Sequence, residues 1–106
     1  MAKLGDDDKT ATVTSSWEGG VPVIRIAGEL DLASAGDIHQ SVKAIIGDGP
    51  ERVVFDLSML EFMDSSGISL LLAVAERVPV EIRDASPIVR QLIEMTGLVD
   101  TLPLTP

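Results

Sequence analysis

Apolar and polar positions change period several times along the chain, and each change marks an element. Residues 10 to 17, TATVTSSW, interleave Val13 with threonines and serines, the pattern of an edge strand. EGG, residues 18 to 20, is a turn signal. VPVIRIAGELD, residues 21 to 31, carries Val21, Val23, Ile24 and Ile26 and predicts a second strand, hairpin-paired with the first. Pro22 lies near its start, where a missing N–H is tolerated. Ile38, Val42, Ile45 and Ile46 then fall at i, i+4, i+7 and i+8, one face of a helix. Ser34 with Asp37 three residues on gives that helix a box-like start, and Gly47 suits its left-handed end.

RVVFDL, residues 52 to 57, is almost continuously apolar and predicts a central strand covered on both faces. After SMLEFMD the pattern predicts a second helix from about Ser65 to Arg77, and VPVEIRDA, residues 78 to 85, a further strand. SPIVRQLIEMTG, residues 86 to 97, has Ser86 as N-cap, Pro87 at the first helical position and Gly97 just past the end. Its inward stripe is read as Ile88, Leu92 and Met95. The order β-β-α-β-α-β-α predicts an α/β fold: a mixed, mainly parallel four-stranded sheet with helices packed on it. Residues 1 to 9 read as a charged leader, 10 to 102 as the domain and 103 to 106 as a tail.

The chain of 106 residues is enough for one domain, and its 45% hydrophobic but 3% aromatic content requires an aliphatic core. The formal net charge of −9 repels phosphate backbones and anionic bilayers, so direct nucleic-acid binding and membrane docking are not expected. There is no cysteine, which removes disulfides and thiolate ligands and fits a cytoplasmic address. No cofactor is expected, because GDGP leads into a strand and no glycine-rich phosphate cradle opens a helix.

Functional groups in such sheets gather at the carboxyl ends of strands, where GELD, residues 28 to 31, and FMDSSG, residues 62 to 67, fall. Asp64 or Ser65 is placed to cap the second helix. Gly67 is unexpected in a first turn, where glycine costs about 0.5–1 kcal/mol relative to alanine, so a neighbouring element or a partner approaches the backbone there. A serine nucleophile lacks support: His39 is the only histidine, and DSSG is not a G-x-S-x-G elbow. The other chemistry open to a hydroxyl at a helix start is to receive phosphate, whose charge the helix N-terminus accommodates while a docking partner meets it beside Asp31, Glu61 and Asp64. On the second helix Ile68, Leu71, Leu72 and Ala75 form the core stripe, and Leu70 with Val74 forms a displaced pair that either adds a docking surface or packs under the third helix.

GELD, FDLSMLEFMDSSGISLL (residues 55 to 71) and ASPIVRQLIEMTGL (residues 85 to 98) together resemble the STAS-domain anti-anti-sigma factors, in register from about residue 11 to 102. The resemblance implies a STAS-like single domain, not an enzyme, that binds a kinase-type anti-sigma factor and so releases a sigma factor. It implies that the anti-sigma factor serine kinase phosphorylates Ser65, that the modified protein dissociates, and that a phosphatase restores it. Asp31 and Asp64 map to acids beside that site, and Ser66 and Gly67 complete the motif. The expected partner-binding set is Asp31, Asp64, Ser66, Gly67, Leu70 and Val74. The stretch between DSSG and SP is shorter than in typical members, and VDTLPLTP leaves little of the family's last helix. The alternative class is a STAS adaptor that is not a phosphoswitch, in a transporter ATPase or a stressosome-like complex.

Overall fold

A computed structural model describes residues 10–47 and 49–105; the leader expected at 1 to 9 lies outside the described residues. The elements run β1 (Thr12–Glu18), β2 (Val21–Leu30), α1 (Leu32–Ile46), β3 (Val53–Asp56), β4 (Leu60–Met63), α2 (Ser65–Ala75), β5 (Val80–Arg83), α3 (Pro87–Met95) and β6 (Leu104–Thr105). β1 and β2 form the expected antiparallel hairpin, whose turn residues Gly19 and Gly20 both have positive φ. Such a turn has the twist that two-residue hairpins favour. All other pairings are parallel, and the sheet order is β1-β2-β3-β5-β6 with β4 also on β2.

The sheet thus has the expected class and connectivity but six strands, where the periodicity gave four. β4 was read as a connection. It continues the path of β3 along β2 after a break: Val23–Arg25 pair with Val54–Asp56, and Gly28–Leu30 with Leu60–Met63. The break has a local cause. The Asp56 carboxylate accepts from the Ser58 N–H at 2.9 Å, turning the chain, and Leu60 N–H donates to the Leu57 carbonyl at 3.1 Å. β2 answers with a register shift at Gly28, which has φ of 89° and donates to the Met59 carbonyl. β6 lies in the segment read as a tail and pairs with β5 through Leu104 and Thr105.

Consecutive right-handed crossovers place all three helices on one face of the sheet. A single apolar cluster accordingly joins Ile24 and Ile26 of β2, Phe55 of β3 and Ile82 of β5 to Ile38 and Val42 of α1, Leu71 of α2, and Val89 and Ile93 of α3. The opposite face carries an ion pair between Arg25 and Asp56 at 2.9 Å, with Arg52–Glu81 and Arg83–Glu18 beside it. Burial alone would raise the Asp56 carboxyl; the Ser58 hydroxyl and N–H and the Arg25 guanidinium outweigh it and hold it below the ordinary aspartate value.

Three side-chain expectations need correction. The cap of α1 is Asp31, one turn before Ser34: its carboxylate accepts from Ala33 and Ser34 N–H groups, and Ser34 returns the bond as the third residue of a capping box. On α3, Val89 and Ile93 point inward and Leu92 packs half-buried against the core, while Ile88 and Met95 are 70% and 76% exposed. The two stripes differ by one position, about 100° of rotation. Periodicity does not choose between them; packing against the sheet does, burying Val89 and Ile93 in the core cluster. Finally, Leu70 and Val74 are each only 3% exposed and belong to the core cluster. They do not offer a docking surface. Val74 walls a crevice with His39, Lys43 and Ile46 of α1, so it closes the α1–α2 side of the core.

Candidate functional site

Each helix begins where a parallel strand ends, so the N-caps Asp31, Asp64 and Ser86 line one end of the domain. Two of them are tied together by the sheet. Leu30 of β2 is paired with Met63 of β4, and the next N–H, that of Asp64, donates to the Leu30 carbonyl at 3.3 Å. Adjacent strands lie about 4.8 Å apart, so Asp31 and Asp64 leave neighbouring backbone positions.

Asp64 caps α2 by accepting from the Ser66 N–H at 2.8 Å, and its carbonyl accepts from Gly67 and Ile68. That leaves Ser65 as the first helical residue, exposed, with neither its hydroxyl nor its N–H hydrogen-bonded among the described residues. Ser66 is half-buried and supplies the N–H that Asp64 holds. The two serines of the motif therefore differ in kind: one is presented to solvent, the other locks the cap.

Gly67 has a structural reason. It is buried, and a β-carbon there would collide with the Met63 side chain and stand 3.1 Å from a Leu30 methyl. The element that approaches is the protein's own β2–β4 pair. Gly67 seats α2 against that pair and presents no surface of its own. Asp31 and Asp64 are half-buried, each with its carboxylate engaged at a helix start. The site is acidic, has two positive helix ends beneath it, and presents the exposed Ser65 hydroxyl at the start of α2.

Sequence reasoning missed the apolar part of this end. Leu32, directly after Asp31, is 81% exposed, and Phe62, two residues before Asp64, is 44% exposed. The available signal was position: an apolar residue at the first turn of a helix lies before the inward stripe begins. Among the described residues no group of three or more His, Asp or Glu side chains is placed to hold a metal ion. No helix among them is long and apolar enough to cross a membrane.

Comparison with known proteins places this geometry. The model of the STAS domain matches residues 15–106. The anti-sigma-F factor antagonist RsfB of Mycobacterium tuberculosis is 32% identical over 97 residues, spanning 88% of this chain and 80% of that protein. An anti-sigma F factor antagonist of Paenibacillus polymyxa is 31% identical over 91 residues, 80% of this chain and 78% of that protein. The crystal structure of an anti-sigma factor antagonist from Mycobacterium paratuberculosis superposes with a TM-score of 0.85 at 32% identity, covering 92% of this chain and 87% of that one. With its motif, topology and relatives in agreement, the chain belongs to the STAS-domain family of anti-sigma factor antagonists.

Proposed function

We propose that this chain binds a kinase-type anti-sigma factor, thereby frees a sigma factor, and is switched off by phosphorylation of Ser65. It acts as a regulatory binding protein and not as an enzyme, in keeping with relatives named as antagonists. The observation that carries the reading is the environment of Ser65: an exposed hydroxyl at the first position of α2, directly after the capping Asp64, whose backbone is hydrogen-bonded to the strand end that leads into Asp31.

The physics of the switch follows from that position. A phosphoserine adds about −1.5 to −2 charge at neutral pH. Its intramolecular cost is small, because the N-terminal dipole of α2 and the unengaged Ser65 N–H accept an anion. Its intermolecular cost is large, because the same charge would be buried against a partner that already faces Asp31 and Asp64. Leu32 and Phe62 give the same end apolar contact area, the role that Leu70 and Val74 cannot play. A phosphatase that removes the group resets the complex.

The test is incubation of the chain with its anti-sigma factor kinase and ATP, followed by tandem mass spectrometry and a binding titration. A single phosphate on Ser65 is expected. Ser65→Ala retains binding and takes no phosphate; Ser65→Asp weakens binding by about 100-fold, some 2.7 kcal/mol. Phosphate on Ser66, or none, overturns the switch, and an unmodified chain that fails to bind any kinase-type anti-sigma factor overturns the partner.

A further inference from the structure

The end of the domain opposite Ser65 holds the C-termini of α1 and α2, and between them lies an open crevice of about 470 Å³. That size is within the roughly 300–1,000 Å³ of small-molecule sites. One wall is cationic: Lys43 in the last turn of α1 and Arg77 just past α2, with His39 one turn before Lys43. The floor is apolar, formed by Ile46, Val74 and Val78.

The cations are informative because the protein has only eight lysines and arginines. Arg25, Arg52 and Arg83 are each in an ion pair on the far face of the sheet. Lys43, Arg77 and Arg90 are in none among the described residues, and two of these three line this one crevice. Glu76 is the only acid among its described lining residues, in a chain of net charge −9. Lys43 in part complements the partial negative charge at the end of α1. Arg77 does the same for the end of α2, and neither helix end explains the adjoining apolar floor. Val74 runs from that floor into the core of α2, nine residues or about 14 Å along the helix from Ser65.

We infer that this crevice binds a small amphiphilic anion: a carboxylate or phosphate head held by Lys43 and Arg77, with a compact apolar body against Ile46, Val74 and Val78. The Lys43 and Arg77 side chains select the sign of the head, and the floor selects an organic anion over an inorganic one. The site is separate from Ser65 and makes no demand on its phosphorylation.

The experiment is a heteronuclear NMR titration of the ¹⁵N-labelled full chain with octyl phosphate and with octanoate, each below its micelle concentration. Saturable shifts are expected at the amides of Lys43, Gly47 and Arg77 with at least one of the two, and comparing them tells a phosphate head from a carboxylate head. Inorganic phosphate and octyltrimethylammonium should leave those amides in place. Lys43→Gln/Arg77→Gln should weaken binding at least about tenfold, a loss of ~1.4 kcal/mol, with the rest of the spectrum unchanged. Ala73→Leu, which narrows the crevice without altering its charge, should do the same. The inference is overturned if neither amphiphile saturates at these amides, if inorganic phosphate does so equally, or if the strongest shifts fall on the exposed Ile88–Met95 stripe of α3.

Discussion

The Asp64 N–H donates to the Leu30 carbonyl at 3.3 Å, one step beyond the Leu30–Met63 pair, so the starts of α1 and α2 are joined by the sheet itself. The acids that flank Ser65 are thereby structural before they are anything else. Asp31 caps α1 through two N–H groups and a reciprocal Ser34 bond.

It follows that Asp31→Ala lowers stability even in the absence of any partner. The expected loss is about 1 kcal/mol, the usual worth of an N-cap. Asp31→Asn keeps the accepting oxygen and should recover most of it. Urea unfolding of the three proteins decides the matter. An unchanged midpoint for Asp31→Ala would mean that the carboxylate serves the partner alone.

Gly67 tests the fit of α2 on the β2–β4 pair. Helix propensity favours alanine over glycine by about 1 kcal/mol, yet a β-carbon there runs into Met63, itself 4% exposed. Overpacking of this kind costs about 1–3 kcal/mol, so Gly67→Ala should be less stable than the parent despite its better propensity. Met63→Ala in the same chain should make Gly67→Ala neutral or favourable, a coupling that a double-mutant cycle reads directly.

The rotational phase of the helices gives a third prediction and shows where sequence reading stops. Leu70→Ala should cost about 2–5 kcal/mol, as for a buried leucine. Ile88→Ala and Met95→Ala should each change stability by less than about 0.5 kcal/mol. The reverse outcome would turn Leu70 out of the core and place α3 on the Ile88–Leu92–Met95 stripe. Local chemistry was legible in part: Ser86-Pro87, Gly47 and the Gly19-Gly20 turn sit where expected, whereas the α1 cap was read at Ser34 and is Asp31. The Asp64 cap and the start of α2 at Ser65 were legible for the same reason. β4 was not, because four residues with ends buried and middle exposed carry no clear period, and their pairing depends on a turn made by Asp56 and Ser58. The α3 stripe was not, because Ile88, Val89, Leu92 and Ile93 satisfy two phases equally and only the packed sheet selects one. Gly67 was half legible: its cost announced a close approach, but the residue that approaches, Met63, comes from tertiary structure.

Asp56 should give the protein a defined acid limb. Burial acts against its charge, and bonds from Ser58 and Arg25 more than offset this, so its carboxyl titrates below the ordinary value of 3.8 in the folded chain. The unfolded chain therefore binds the proton first as pH falls, and stability rises with pH across that interval. The contribution of Asp56 is fully present above the unfolded value and is lost as pH drops through the folded one. Asp56→Asn removes it while keeping an oxygen for the Ser58 N–H. At neutral pH the variant should be less stable by about 1 kcal/mol, the worth of a charge-assisted hydrogen bond discounted for the half-exposed Arg25. The gap should close as pH is lowered through and below 3.8. Parallel urea titrations from neutral pH into this acid range measure it; a gap that stays constant, or widens, would show that Arg25 and Ser58 do not hold the Asp56 carboxylate in the way their geometry implies.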